Sequence, residues 1–173
     1  MTTTTLELAS GNCALRRATV ADLDAILGLL ADDPISASRG DTGSAADRPA
    51  YERAFAAIDS DPAQQLLVAT IDDEVVATMQ LTVIPGLARV GASRLQIEAV
   101  RVRSDQRNLG IGAAMIRWAV AQAPVLGAAL VQLTSDAARV DAHRFYERLG
   151  FAASHVGFKH VVPPAEASAS VER

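Results

Sequence analysis

The stretch Arg107-Asn108-Leu109-Gly110-Ile111-Gly112-Ala113 has the residue types of an anion cradle. It lies where a strand pattern gives way to a helical one. Amide groups that open a helix lack internal acceptors and share the positive end of the helix dipole, so they suit an anionic diphosphate. Glycine at 110 and 112 keeps side chains out of the space phosphate oxygens need, and Arg107 adds a planar guanidinium fork. A Gly-x-Gly at such a turn also serves simply to bend the backbone, and taken alone the loop fits either role. The third glycine of the GxGxxG dinucleotide fingerprint and the Lys-Ser/Thr pair of a Walker loop are both missing, which directs attention to a different diphosphate carrier.

Elements on both sides must hold this loop in place. Arg94 to Val102 reads as a long strand before it, and Gly110 to about Ala123 as a helix after it, with Ile111, Ala114, Met115 and Trp118 on one face. Ala128 to Leu133 is an apolar strand, so strand, helix and strand imply a parallel pair with a right-handed crossover. Upstream, Leu15 to Ala18 reads as a strand, and Thr19 and Asp22 have capping-box spacing ahead of an apolar stripe at Leu23, Ile26, Leu27 and Leu30. Asp32-Asp33-Pro34 ends that helix, and residues 36 to 49 read as a loop, either a cover for a binding site or a plain linker.

Tyr51, Ala54, Phe55 and Ile58 repeat the helical spacing. Leu66 to Ile71 and Val75 to Ile84 flank Asp72-Asp73-Glu74 as an antiparallel hairpin. Ala142, Phe145, Tyr146 and Leu149 form a last helical stripe capped by Gly150, and Phe151 to Val162 is expected to supply one or two final strands. No internal repeat is present.

With 173 residues, half of them hydrophobic, the chain fits a single domain with its own core. Aromatic residues are only 4% and the formal charge is -4, which gives no broad basic surface for nucleic acid or anionic lipid. The single Cys13 forms no internal disulfide, and with no charged-then-apolar leader or long apolar run the expected setting is the cytoplasm. Residues 1–12 and 163–173 are expected to be disordered ends around a domain at 13–162. His143, His155 and His160 are too scattered for a metal site, and none is expected.

Taken together, these segments resemble the GNAT superfamily of acetyl-CoA-dependent N-acetyltransferases. Arg107 to Gly112 is similar to the family's (Gln/Arg)-x-x-Gly-x-(Gly/Ala) pyrophosphate loop, and Ile97 to Val102 to the strand before it. His143 to Phe151 is similar to the closing helix with its Tyr-x-x-x-Gly-Phe signature. The resemblance spans about Leu15 to Val162 and implies an α/β fold of mixed α+β character. The sheet would be central and mostly antiparallel, of six or seven strands with one splayed parallel pair, flanked by about four helices.

It also implies that Val100, Arg101 and Val102 line the pantetheine arm of coenzyme A. Arg107, Asn108, Leu109, Gly110, Ile111, Gly112 and Ala113 would hold the diphosphate, and Tyr146 would face the thioester sulfur. The partner so implied is a small-molecule amine; protein N-terminal or lysine acetylation and non-catalytic acyl-CoA binding are the alternatives. A homodimer is common among similar proteins.

Amide formation requires the acceptor ammonium, with an ordinary pKa of about 10.4, to lose a proton to a base or a water chain. Glu98, mid-strand and by simple alternation on the face of Gln96, Val100 and Val102, is the candidate base; otherwise it meets solvent or pairs with Arg101 or Arg103. Tyr146 between Ala142 and Leu149 fits a core position equally well on spacing alone. Asp136 and Arg39 have both binding and plain loop roles open to them.

Overall fold

The computed structural model describes residues 3–9, 11–33 and 44–162. Arg39 and residues 163–173 therefore lie outside the described residues. Among the described residues six strands form one sheet in sequence order: β1 Thr4–Leu8, β2 Gly11–Arg17, β3 Gln64–Ile71, β4 Glu74–Ile84, β5 Ser93–Val102 and β6 Ala128–Leu133. All neighbours are antiparallel except β5 and β6, the parallel pair that the strand-helix-strand order requires. Among the described residues four helices of two or more turns accompany them: α1 Leu23–Ala31, α2 Arg48–Ser60, α3 Ile111–Gln122 and α4 Val140–Arg148. Ala88–Gly91 is a single turn with left-handed Arg89 and Val90.

Each local device has a legible cause. The β3–β4 hairpin turns through Asp72 and Asp73, both at positive φ, as a two-residue hairpin loop demands and as aspartate tolerates. Ahead of α1, the Asp22 carboxylate accepts from the Thr19 amide at 2.7 Å, while the Asp22 amide donates to the Thr19 carbonyl at 2.9 Å. Arg16 grips the same carboxylate through both terminal nitrogens at 2.7 and 2.8 Å, tying the helix start to β2.

The sheet divides two cores. Leu15, Leu67, Met79, Leu81, Leu95 and Ile97 pack with Ile111, Met115, Ile116 and Ala119 of α3 on one face. Val68 packs with Ala18, Leu23, Ile26, Leu27 and Phe55 beneath α1 and α2 on the other.

Two expectations are corrected. Thr4–Leu8, expected to be loose, is an edge strand: Leu6 pairs in register with Cys13 and is buried in the main core, which offsets the ordering of this end. Conversely, no strand follows β6 among the described residues. Between residues 152 and 162 every residue is exposed, Phe158 by 93%, so this segment gains no burial to hold it extended.

Candidate active site

The parallel pair comes apart where the chemistry was expected. The β5–β6 ladder runs from Ser93↔Ala128 to Ile97↔Leu133 and stops. Among the described residues β5 pairs from Glu98 onward with β4 alone, so a gap opens along Val100, Arg101 and Val102, between β5 and the departing β6. Both valines pack against the main core, on the α3 side.

A bulge changes what else shares that side. Gln80 pairs with Glu98 and Thr78 with Arg101, so Ala99 and Val100 together stand opposite Met79 alone, with Ala99 at φ 50°. Alternation resets across this extra residue. Glu98, Gln96 and Arg101 lie on the α1 side of the sheet, while Val100 and Val102 lie on the α3 side. The simple alternation that grouped Glu98 with the two valines is thus corrected. Glu98 is exposed and makes no ion pair with Arg101 or Arg103 among the described residues. Arg103 instead meets Glu74 and Asp105.

Beyond β5, a short 3-10 turn at Ser104–Gln106 leads into the loop. Asn108 and Gly110 both have positive φ, at 65° and 90°, and the first bond of α3 runs from the Ala114 amide to the Gly110 carbonyl at 2.9 Å. The amides of Ile111, Gly112 and Ala113 precede that bond and so stand at the open positive end of α3. A Cβ at Gly110 would meet nothing within 4 Å, which leaves open space over the loop. At Gly112 it would rest against Val102 and Phe145, at 3.5 and 3.7 Å.

Arg107 turns the other way, donating to the Val102 carbonyl at 3.1 Å and pairing with Asp32 at 3.0 Å. Its charge braces the loop against the end of α1. A cavity of about 430 Å³ beside the loop is lined by Glu7, Leu8, Asn108, Leu109, Gly110 and Arg117, among others.

Tyr146 is set by the cap of its own helix. Gly150 at φ 90° donates to the Glu147 carbonyl at 2.9 Å, and the Phe151 amide donates to the Tyr146 carbonyl at 3.1 Å. These are the two bonds of a Schellman motif. The accompanying apolar contact is between the rings: Phe151 lies edge-on to Tyr146 at 6.0 Å, and Phe145 flanks it at 5.1 Å. The Tyr-x-x-x-Gly-Phe spacing is therefore a device that fixes the tyrosine ring. Burial pushes the Tyr146 hydroxyl above the usual phenol value, against a smaller downward pull from Arg101 and Arg139.

His143 donates from Nε2 to the Asp136 carbonyl at 2.8 Å, and the Asp136 carboxylate accepts from the Ala138 amide at 2.9 Å, so both help shape the turn into α4. Among the described residues no three His, Cys, Asp or Glu side chains form a group that would hold a metal ion. No helix among them is long and apolar enough to cross a membrane.

Sequence reading gave no hint of a contact that joins Asp33 and Arg139. Arg101 and Arg139 both pair with the buried Asp33 carboxylate, joining β5, the start of α4 and the end of α1. Arg101 and Arg139 stand 68 and 106 residues from Asp33 in the chain, and no local spacing announces such a contact.

Residues 30–151 match the model of the acetyltransferase (GNAT) family. The chain belongs to the GNAT family. An aminoalkylphosphonate N-acetyltransferase of Salmonella typhimurium is 31% identical over 146 residues, 84% of this chain and 89% of the relative. A Bacillus halodurans structure described as a transcriptional regulator aligns with a TM-score of 0.80 at 40% identity, covering 87% of this chain and 99% of that one. Arabidopsis thaliana glucosamine-6-phosphate N-acetyltransferase shares the fold, with a TM-score of 0.72 at 20% identity over 87% of this chain and 99% of that one. As a GNAT protein the chain is an acyltransferase, and the family generally uses acetyl-CoA.

Proposed function

We propose that this enzyme transfers an acetyl group from acetyl-CoA to the primary amine of a small molecule, by direct attack in a ternary complex. The observation that carries the proposal is the end of the β5–β6 ladder at Ile97↔Leu133, directly before a helix-opening loop with open space above Gly110. A gap that leads onto unpaired amides suits a long carrier with a diphosphate. Backbone groups of Val100 and Val102 and the side of Arg101 would line the arm. Asn108, Leu109, Gly110, Ile111, Gly112 and Ala113 would surround the diphosphate, with Arg107 bracing them. When bound, acetyl-CoA supplies the activated acyl group as a thioester.

A phenol with an ordinary pKa of about 10 already holds its proton at neutral pH, and burial moves Tyr146 further in that direction. It can therefore donate a hydrogen bond to the sulfur of a departing thiolate. Complete transfer from an ordinary phenol to a thiolate would already cost about 2 kcal/mol, and the upward shift adds to that, so hydrogen-bond donation is the role the chemistry allows. Glu98, exposed on the α1 side, accepts the ammonium proton directly or through water. The relative named for an aminoalkylphosphonate supports a small amine as acceptor.

The test is incubation with acetyl-CoA and a panel of amines, following free thiol. Thiol release that requires an amine supports the proposal. The relative described as a transcriptional regulator favours a second reading, acyl-CoA binding without turnover. CoA binding without thiol release from any amine or peptide would establish that alternative.

A further inference from the structure

The last strand of the sheet and the segment after α4 leave two complementary surfaces bare in the same chain. One edge of β6 is taken by β5, and among the described residues nothing pairs with the other. Native proteins blunt such edges with charged residues, proline or a covering element. The six residues of β6, Ala-Ala-Leu-Val-Gln-Leu, include neither a charged residue nor a proline, and Leu130 among them is exposed. This edge is open and unguarded.

Residues 156–162 form the matching half. Of the twelve large apolar side chains exposed among the described residues, four fall in these seven positions: Val156, Phe158, Val161 and Val162. Exposure concentrated in this way costs free energy in water and marks a surface that a partner covers. None of the backbone groups from 156 to 162 is hydrogen-bonded to another described residue. The composition suits a strand, with three valines and a central phenylalanine and no Asp or Glu. In extended form Val156, Phe158, His160 and Val162 share one face. Beside β6, such a segment would continue the apolar surface of Val131 and Leu133, which already packs against the main core.

The segment does not pair with its own β6. It passes the end of that strand, since a Cβ at Gly157 would rest 3.9 Å from Thr134 Cγ2, and it then runs free with every residue exposed. Each copy therefore carries both a bare edge and a bare strand. A two-fold axis matches them reciprocally, covering both edges and both segments at once and leaving none to propagate a filament. A partner of unrelated sequence that filled the edge would leave the segment exposed, and one that covered the segment would leave the edge.

We propose that two copies of this chain associate by exchanging residues 152–162, each laying this segment along the free edge of β6 in the other. Main-chain hydrogen bonds supply the joint, and Phe158 supplies its apolar anchor. Because β6 is the strand that parts from β5 at the gap, the exchanged segment braces the far wall of the candidate site. The inference stands independently of acetyl transfer.

Sedimentation and amide hydrogen exchange test it on the full chain. Sedimentation should give twice the mass of one chain at micromolar concentrations. Phe158→Asp should halve that mass with circular dichroism unchanged, since the side chain is exposed within a single copy. A monomeric unmodified chain overturns the inference, as does a Phe158→Asp variant that dimerises equally well. Amides from 156 to 162 should exchange slowly in the dimer and quicken on dilution, as mass action requires. Fast exchange within a dimer overturns the inference by placing the contact on another face. Slow exchange that ignores dilution overturns it by closing the segment on its own chain.

Discussion

Glu98 and Val100, two residues apart on β5, face opposite sides of the sheet because Ala99 is inserted between them at φ 50°. The bulge lets one strand present the valines toward α3 and Glu98 with Arg101 toward α1, which on the proposed function are the carrier and acceptor sides. Deleting Ala99 should leave Val100 alone opposite Met79, so that both valines keep the α3 side while the bend and extra twist of the bulge are lost. On the proposed function CoA binding should then weaken in calorimetry, because the strand beside the carrier is straightened, while circular dichroism still reports a folded sheet. Undiminished affinity in the folded deletion variant would show that the bulge does not shape the carrier surface.

Tyr146→Phe keeps the ring contacts with Phe145 and Phe151 and removes only the hydroxyl. Turnover should fall by about 10- to 100-fold, the worth of a hydrogen bond to a charged partner, with a much smaller change in CoA affinity. Because burial raises the Tyr146 pKa, any loss of activity from its ionisation should begin only above the ordinary phenol value of about 10. The phenylalanine variant should lack that alkaline limb. Unchanged turnover in Tyr146→Phe would remove the residue from the mechanism.

Gly110 separates two effects in one position. Its φ of 90° penalises any other residue, whereas a Cβ there meets nothing within 4 Å. Gly110→Ala should therefore destabilise the fold by about 1–2 kcal/mol in chemical denaturation, through backbone strain and not through a clash. Gly110→Glu should add a negative charge over the open end of α3 and abolish CoA binding. A glutamate variant that binds CoA normally would place the diphosphate elsewhere.

Asp22 links stability to acid. The Arg16 hydrogen bonds, chiefly, hold its carboxyl at about 2, below the ordinary 3.8, although burial alone would raise it. A lowered folded pKa means the stabilisation is complete above the unfolded value and is lost as pH falls from about 4 toward 2. Asp22→Asn should cost about 2 kcal/mol at neutral pH and flatten stability across that acid range, as measured by urea midpoints. A variant with the full acid dependence would show that another carboxylate carries it.

The elements whose causes are local were legible before any contact was known. The Thr19–Asp22 cap, the Asp72–Asp73 turn, the loop at 107–113 and the Tyr146–Gly150–Phe151 spacing each depend on residues within a few positions of one another, so residue type and interval fix them. Periodicity likewise gave the faces of α1 and α3, since the apolar stripe must meet a core. Strand counting at the two ends failed for a single reason. Whether Thr4–Leu8 or residues 151–162 extend depends on a neighbouring ladder and a buried face, which a segment's own pattern does not report.

Tertiary structure alone decided the division of the site. The parity reset at Ala99 needs an alanine in a left-handed conformation, which no residue preference foretells and which the pairing with β4 enforces. The convergence of Asp33, Arg101 and Arg139 likewise exists only once α1, β5 and α4 are packed together, because charges far apart in the chain become partners through the fold and not through spacing.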